Sequence, residues 1–267
     1  MGVLNVTPDS FSDGGLWLEP SNAVAHARAM VELGADIIDV GGESTRPGAV
    51  PVPKDEELRR VLPVIEALHA EVDVPLSIDT RKPSVARRCV EAGAAIINDT
   101  LGEEADRTMD RVAAETGAAV VVMHSRGTPV SMQQLTSYRD VASDVTSWLR
   151  TRSGELEAAG VAPESIVVDP GFGFAKSAAQ NLELLRNLDI LVDLGYPVLM
   201  GTSRKSFIGL VLDLPSEERV EGTVATIAWG VMKGARLVRV HDVGPAVRAV
   251  RMIEAISTPS LLQESDR

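Results

Sequence analysis

The stretch PVLMGTSRKSF, residues 197–207, joins an apolar run to a group of hydroxyl and cationic side chains. Its first part, Val198 to Met200, is predicted to be a short buried strand that stops at Gly201. Hydroxyls and cations follow directly, so a strand anchored in the core would carry polar side chains at its carboxyl end. Taken alone, the stretch would fit a solvated surface turn equally well. The same pattern recurs along the chain, however, and this repetition favours the buried strand.

Eight short apolar runs rich in Val, Ile and Leu are spaced along the sequence. They occupy residues 2–6, 35–40, 75–79, 94–98, 118–124, 165–169, 197–200 and 235–241. Near-continuous apolar runs are typical of parallel strands that are buried on both faces. Helical patterns fill the gaps, and several of them end at a glycine. Strand and helix alternating to eight strands predict an α/β protein, a single (β/α)8 TIM barrel over residues 1–257, with a frayed tail over residues 258–267.

Two of the helical patterns carry specific expectations. The pattern over residues 55–72 contains Pro63, which predicts a kink or a restart of the helix. The pattern over residues 180–195 predicts one helix before the seventh strand.

The composition narrows the class of protein. A chain of 267 residues fits one barrel, which typically needs about 250 residues. A formal net charge of −12 argues against a general binder of nucleic acids or anionic membranes. The single cysteine, Cys89, allows no intrachain disulfide, which favours a reducing compartment. Without a signal-peptide pattern or a long uncharged apolar run, the sequence predicts a soluble cytoplasmic protein.

Polar residues stand at the ends of the predicted strands. They are Asn5, Asp39, Asp79, Asn98, Asp99, His124, Asp169, Ser203, Lys205, Arg239 and His241. Any one of them could be a cap or turn residue, and His124 could be a satisfied core group. In a β/α barrel, however, the carboxyl ends of all strands meet at one face, where active sites lie. The repetition therefore predicts one polar basin lined from all round the ring.

The side-chain types indicate what this basin would bind. Asp79, Asn98, Asp169 and Lys205 mix acceptors and donors, which suits a flat heterocycle with amino, ring N–H and carbonyl groups. A carboxylate can accept two N–H bonds from an aminopyrimidine-like edge.

A second group of residues predicts an anion site. Arg239 and His241 alternate on the last strand and point the same way, and with Arg46 they predict a cationic corner for phosphate. Asn5 offers a neutral oxygen that suits a Mg²⁺ ion shared with a diphosphate. The His and Cys residues do not have the spacing of a zinc site.

Three loops are rich in Gly or Pro. Residues 7–15 and 41–53 follow the first two strands and are interpreted either as mobile lids that exclude water or as plain surface loops. Phe11, Thr45 and Arg46 favour lids. In residues 169–176, DPGFGFAK, a phenylalanine could wall an aromatic substrate or simply pack beneath the loop.

Eight segments together resemble the dihydropteroate synthase family. They are NVTPDSFSDGG, DVGGESTRPG, SIDTRKP, IIND, VMH, DPGFGFAK, GTSRKSFIG and RVHD, and the resemblance runs over residues 2–242. It implies a transferase of folate biosynthesis. Such an enzyme condenses 6-hydroxymethyl-7,8-dihydropterin diphosphate with p-aminobenzoate and gives 7,8-dihydropteroate and diphosphate. It also implies Mg²⁺, a homodimer through outer helices, and sulfonamides as competitors of p-aminobenzoate.

The resemblance carries over to particular residues. It places the pterin on Asp79, Asn98, Met123, Asp169 and Lys205. It places the diphosphate on Asn5, Arg46, Arg239 and His241, with Asn5 as the metal ligand. It places p-aminobenzoate on Thr45, Arg46, Pro47, Phe174, Lys205 and Ser206. The catalytic residues would be Asp79, Lys205, Arg46, Arg239 and His241, with Lys205 between the two substrates.

Two alternatives remain open. A pterin-binding methyltransferase acting on methyltetrahydrofolate would share the Asp and Asn pocket, but it has no use for a diphosphate corner. A non-catalytic paralogue would bind pterin without turnover.

Overall fold

The protein is described by a computed structural model that covers residues 1–7, 20–46, 48–105, 107–258 and 260. The strands are β1 (Gly2–Asn5), β2 (Ile38–Gly41), β3 (Leu76–Asp79), β4 (Ile96–Asp99), β5 (Ala119–Met123), β6 (Ile166–Asp169), β7 (Leu199–Met200) and β8 (Leu237–Val238). The helices are α1 (Pro20–Glu32), α2 (Lys54–Glu71), α3 (Pro83–Glu91), α4 (Thr108–Thr116), α5 (Val141–Ala158), α6 (Ala178–Arg186), α7 (Asp189–Val192), α8 (Ser206–Leu212), α9 (Val220–Met232) and α10 (Val243–Ser257).

The eight strands form a closed parallel barrel. β1 to β6 pair in sequence order, and β7 pairs with β8, all in parallel. Two parallel bridges join these groups, one between Val168 and Val198 and the other between Gly2 and Val240. The second is fixed by the N–H of Val3, which donates to the carbonyl of Val240 at 2.9 Å. The predicted fold class is therefore confirmed.

Two apolar clusters hold the barrel together. The larger lies between the strands and the surrounding helices. The smaller fills the inside of the barrel and comprises Met1, Val121 and Leu199, with Ile37, Ile96, Val167 and Leu237 packed against them. Alternate residues of a strand point to the same side, so the residue two positions further along each strand also faces inward. On four strands that residue is polar: Asp39, Asn98, Asp169 and Arg239. The inside of the barrel thus changes from apolar to polar towards the carboxyl ends of the strands.

One of the two specific helix expectations does not hold in the structure. Residues 180–195 form two helices, α6 and α7, rather than one. The break occurs at Asn187, whose backbone N–H and side-chain amide both donate to the carbonyl of Glu183, at 3.0 and 2.9 Å. The expected single helix was wrong because this side chain caps the end of α6. Pro63, in contrast, lies inside α2, which continues through it without a restart.

Several sequence expectations fall outside the described residues. The lid expected after β1, including Phe11, lies almost wholly in residues 8–19, and most of the expected frayed tail lies in residues 261–267. Within the described part of the chain, no helix is both long enough and apolar enough to cross a membrane.

Candidate active site

The strand-end residues meet at one end of the barrel. Asn5, Asp79, Met123 and Asp169 are each the last residue of their strands, and Asn98 is the last but one of β4. The register pairs Asn5 with Gly41, Gly41 with Asp79, and Asp79 with Asn98, so these positions lie at one level of the barrel. All of them therefore face one opening.

Arg239 holds two carboxylates at the base of this opening. Its Nε donates to Asp39 Oδ2 and its Nη2 donates to Asp79 Oδ2, both at 2.6 Å. The amide of Asn98 donates to the same Asp39 oxygen at 3.1 Å. Arg239 therefore lies among the carboxylates of the basin and not in a separate cationic corner, because its position directly after β8 points it inward. Asp39, which is fully buried, belongs to the site as well, although the sequence alone places it only at a strand end.

Burial shifts the pKa values of the charged groups in the basin. It raises the pKa of Asp79 to about 7, against the opposing effect of Arg239. It also raises the pKa of Asp169, although the backbone N–H of Gly171 and the charge of Lys205 oppose this shift. In the other direction, burial lowers the pKa of Lys205 to about 8, with Arg239 adding to the effect and Asp169 opposing it. Both signs of charge are thus poorly solvated here, as expected in a site that exchanges water for a polar ligand.

Lys205 is held against an aromatic ring. Its Nζ lies 4.1 Å from the centroid of the Phe174 ring, a cation–π arrangement. Gly173 brings the backbone against the same lysine, since a Cβ at that position would lie 2.9 Å from Lys205 Cδ. Its φ of +81° also favours glycine. The loop between β6 and α6 therefore shapes one wall around Lys205.

Lys176 organises that loop from within and was not identified from the sequence. It is 3% exposed, and its Nζ donates to the carbonyls of Gly171 and Phe174 and to His124 Nδ1, each at 3.0 Å. Burial lowers its pKa to about 7. Burial and the Lys176 charge hold the pKa of His124 well below its usual range. When Lys176 carries its charge, the ammonium can only donate, so His124 Nδ1 then accepts and the ring proton lies on Nε2. His124 therefore acts as a core group that supports the loop.

The rim of the opening carries His241 and two arginines, Arg46 and Arg204. His241 Nδ1 lies 3.0 Å from Ser203 Oγ, which also accepts the backbone N–H of His241 at 3.1 Å. Loss of water around the ring, together with the nearby Arg239, Arg204 and Arg46, lowers the pKa of His241 to about 4. His241 is therefore neutral at pH 7. Arg204 is paired with Asp242 through two hydrogen bonds of 2.8 and 2.5 Å.

The remaining predicted residues lie around this rim. Arg46 is exposed on the loop after β2, and its charge influences both Lys205 and His241. Thr45 is partly exposed beside it, and Ser206 is the exposed first residue of α8. Pro47 lies outside the described residues.

Asn5 is the side chain expected to bind a metal ion. It is partly buried, and its Oδ1 faces the space above Gly41, 3.7 Å from where a Cβ would stand. Among the residues that the structure describes, no three His, Cys, Asp or Glu side chains are grouped to hold a metal. One neutral oxygen fits an ion that is carried mainly by a bound phosphate and water, as Mg²⁺ commonly is.

Comparisons with known proteins agree with this geometry. The family model described as pterin binding enzyme matches residues 1–241. The dihydropteroate synthase of Bacillus subtilis is 50% identical over 96% of this chain and 87% of its own length. The dihydropteroate synthase of Yersinia pestis, solved with a sulfonamide drug, superposes with a TM-score of 0.91 at 44% identity and covers 97% of this chain and 94% of its own. The Xanthomonas albilineans dihydropteroate synthase, solved with 4-aminobenzoic acid, gives a TM-score of 0.91 at 46% identity, with 97% and 92% covered. The chain therefore belongs to the dihydropteroate synthase family of pterin-binding enzymes.

Proposed function

We propose that the protein condenses 6-hydroxymethyl-7,8-dihydropterin diphosphate with p-aminobenzoate, forming 7,8-dihydropteroate and releasing diphosphate. The observation that carries this proposal is the combination of a buried acidic basin with Lys205 stacked on Phe174 at its edge. The relatives named dihydropteroate synthase, one of them solved with 4-aminobenzoic acid, support the same reaction.

The basin is the proposed site of the pterin. Carboxylates of Asp79 and Asp169 would accept the amino and ring N–H groups, and Asn98 would contribute a donor and an acceptor. Lys205 would donate to a ring carbonyl, and Met123, buried at the end of β5, would pack against the ring. The excess of carboxylate would stabilise positive charge that develops on the pterin as the diphosphate leaves.

The leaving group is assigned to the space between the rim and the base of the opening. Arg46 on the rim, and Arg239 at the base through the Nη1 that its bonds to Asp39 and Asp79 do not use, would neutralise the negative charge that grows on the departing oxygens. His241, neutral at pH 7 because its pKa is about 4, would act as a hydrogen-bond donor and not as a cation. Asn5 would hold Mg²⁺ on the diphosphate, and this ion, when bound, supplies further charge neutralisation.

The second substrate would lie across the mouth of the basin. Its residues would be Thr45, Arg46, Pro47, Phe174, Lys205 and Ser206, with sulfonamides as competitors at the same place. An aniline-type amine is nucleophilic when neutral, so the reaction needs no strong general base. We propose that the diphosphate leaves before the amine attacks. A rate at saturating pterin that falls steeply with weaker aniline nucleophiles would contradict this order.

The test is release of diphosphate from the pterin substrate, with and without p-aminobenzoate. We expect release coupled to formation of dihydropteroate, and its loss in Lys205→Ala with the fold retained. Methyl transfer from methyltetrahydrofolate would instead indicate the methyltransferase alternative. Pterin binding without any release would indicate a non-catalytic protein.

We propose further that the protein acts as a homodimer in the cytoplasm. Large apolar side chains are exposed on the neighbouring helices α9 and α10, among them Met232 at 76% and Ile256 at 66%, which supports an interface on this side. The free thiol of Cys89, buried in the core, is compatible with a reducing compartment. Light scattering of the wild type and of Met232→Glu would test the dimer, which the charge should dissociate.

A further inference from the structure

The loop that follows β2 is closed at its neck by one carboxylate. Glu43 Oε2 accepts the backbone N–H of Val52 at 2.8 Å, which joins the two ends of residues 43–52. The same oxygen accepts from Lys82 Nζ at 2.6 Å. Thr45 and Arg46 lie within this closed loop. We call the contacts of Glu43 with Val52 and Lys82 the neck clasp.

The neck clasp is anchored to the core. Lys82, just before α3, also binds Glu57 Oε2. Glu57 is fully buried on α2, and its other oxygen accepts from Thr80 Oγ1 at 2.5 Å. Thr80 directly follows Asp79, so a chain of polar contacts connects the proposed pterin carboxylate to the neck of the loop.

Two further contacts restrict the loop. Arg60 Nη1 donates to the carbonyl of Gly42 at 2.9 Å, and a Cβ on Gly42 would lie 2.6 Å from Val61, so the backbone lies tight against α2. At the tip, the N–H of Gly48 donates to the carbonyl of Pro129 at 2.9 Å. The loop is therefore held both at its neck and at its tip.

The charge state of Lys82 supports the neck clasp. Partial burial works against its charge, but the hydrogen bonds that Lys82 donates to Glu43 and Glu57 outweigh this and raise its pKa. The ammonium is therefore charged at neutral pH. A charged donor between two carboxylates, one of them fully buried, holds its partners more tightly than a neutral hydrogen bond.

We propose that Lys82 and Glu43 are positioning residues that fix Thr45 and Arg46 for the second substrate. Neither lies among the residues that we assign to a substrate, and the inference rests on the proposed function. Because the neck clasp orders the loop before p-aminobenzoate arrives, the second substrate would not bear the entropic cost of that ordering.

The experiment measures KM for each substrate and hydrogen exchange of residues 44–53 in Lys82→Met and Glu43→Ala. For both variants we expect KM for p-aminobenzoate to rise by about tenfold, with KM for the pterin substrate unchanged within about twofold. The amides of the loop should exchange faster. Glu43→Ala leaves the pair of Lys82 and Glu57 intact. It therefore tests the proposal even if Lys82→Met fails to fold.

Three controls sharpen the result. Lys82→Arg should restore KM to within about threefold of the wild type. The effect of the double variant on KM should be smaller than the product of the two single effects, since both single variants lose the contact between Lys82 and Glu43. Arg59→Met breaks an exposed ion pair with Glu56 on the same helix, α2, and should change neither KM nor exchange.

Unchanged KM for p-aminobenzoate with unchanged exchange would overturn the proposal, as would an equal rise in KM for both substrates. If the wild type forms no dihydropteroate, the proposed function is wrong. The exchange measurement would then still report whether the neck clasp orders the loop.

Discussion

Two buried ion clusters in this molecule differ in how completely their charges are satisfied. Between the outer helices α4 and α5, Arg152 and Asp110 form a bidentate ion pair. One of its two hydrogen bonds runs from Nη1 to Oδ2 at 2.8 Å. Both side chains are at most 3% exposed. One buried cation faces one buried carboxylate, and the only other ion pair of Arg152 among the described residues is with the partly exposed Glu155 at 3.7 Å, so the buried charges balance.

The cluster inside the barrel does not balance in the same way. Arg239 is shared between Asp39 and Asp79, and Asp169 adds a third carboxylate, whose charge is offset by the more distant Lys205 and Arg239. The pKa of Asp79 is raised to about 7, which shows that this carboxylate is costly to ionise. We call Arg152 with Asp110 the closed cluster, because its balanced charges stabilise the scaffold. We call Arg239 with Asp39, Asp79 and Asp169 the open cluster, because its unbalanced carboxylates lie at an opening where a ligand can donate hydrogen bonds to them.

Asp79→Asn breaks the open cluster, and of the substitutions considered it should reduce activity the most. Asparagine keeps the shape but removes the charge proposed to stabilise the pterin cation. We expect kcat/KM to fall by about a thousandfold, the range seen when a preorganised electrostatic contact is lost. Steady-state kinetics of dihydropteroate formation measure this change.

The same substitution should not harm the fold. The native pKa of about 7 lies above the unfolded value of 3.8, so native Asp79 binds more protons between these limits. Its contribution to stability is therefore present below about pH 4 and is lost as the pH rises to 7. Asp79→Asn should remove that loss, and its melting temperature at pH 7 should equal or exceed that of the wild type. A large drop in melting temperature would show that Asp79 is structural.

Asp110→Asn would break the closed cluster instead. It leaves the buried guanidinium of Arg152 without its carboxylate, which costs about 3–5 kcal/mol of unfolding free energy. Chemical denaturation measures this loss, and kcat of the folded enzyme should stay at the wild-type value. Arg28→Gln, which breaks an exposed ion pair with Glu71, is the matched control and should change stability little. A loss of kcat in Asp110→Asn would contradict the division into scaffold and site.

The sequence predicts the residues of the open cluster better than it predicts contacts between side chains that are distant in the sequence. Apolar runs that end in polar residues mark buried parallel strands, so the sequence alone places Asp79, Asn98 and Asp169 at one face. The sequence places Asp39 at a strand end too but gives it no role, although it lies two residues after the inward-facing Ile37. Strand alternation was the signal, but it requires knowing which residues face inward.

Other contacts depend on the folded path of the chain. Lys176 reaches His124, 52 residues away, because the backbone of its loop turns through positive φ at Gly171, Gly173 and Ala175. Lys82 and Glu43 are 39 residues apart. Neither pairing leaves a periodic pattern, so spacing alone could not predict them. The break at Asn187 was missed for a local reason, since a side-chain cap within a leucine-rich pattern does not alter the pattern.

The pH dependence of turnover should reveal the open cluster directly. Below about pH 7 Asp79 gains a proton and loses its charge, and above about pH 8 Lys205 loses its proton. We therefore expect kcat/KM for the pterin substrate to fall on both sides of this interval, by about tenfold per pH unit. Because the groups interact, the apparent pKa values of the two limbs belong to the cluster as a whole and not to Asp79 or Lys205 alone. Lys205→Arg should remove the alkaline limb, whereas a flat profile from pH 6 to 9 would contradict the assignment.

Phe174→Leu should give the smallest of these effects. The Lys205 ammonium lies over the Phe174 ring, and such a contact contributes about 0.5–1 kcal/mol at a partly exposed site. Leucine fills the space without the π face, so KM for p-aminobenzoate should rise by about two- to fivefold and the alkaline limb should move to lower pH. Phe174→Tyr retains the π face and should behave as the wild type. If leucine and tyrosine gave the same kinetics, packing alone would hold Lys205 in place.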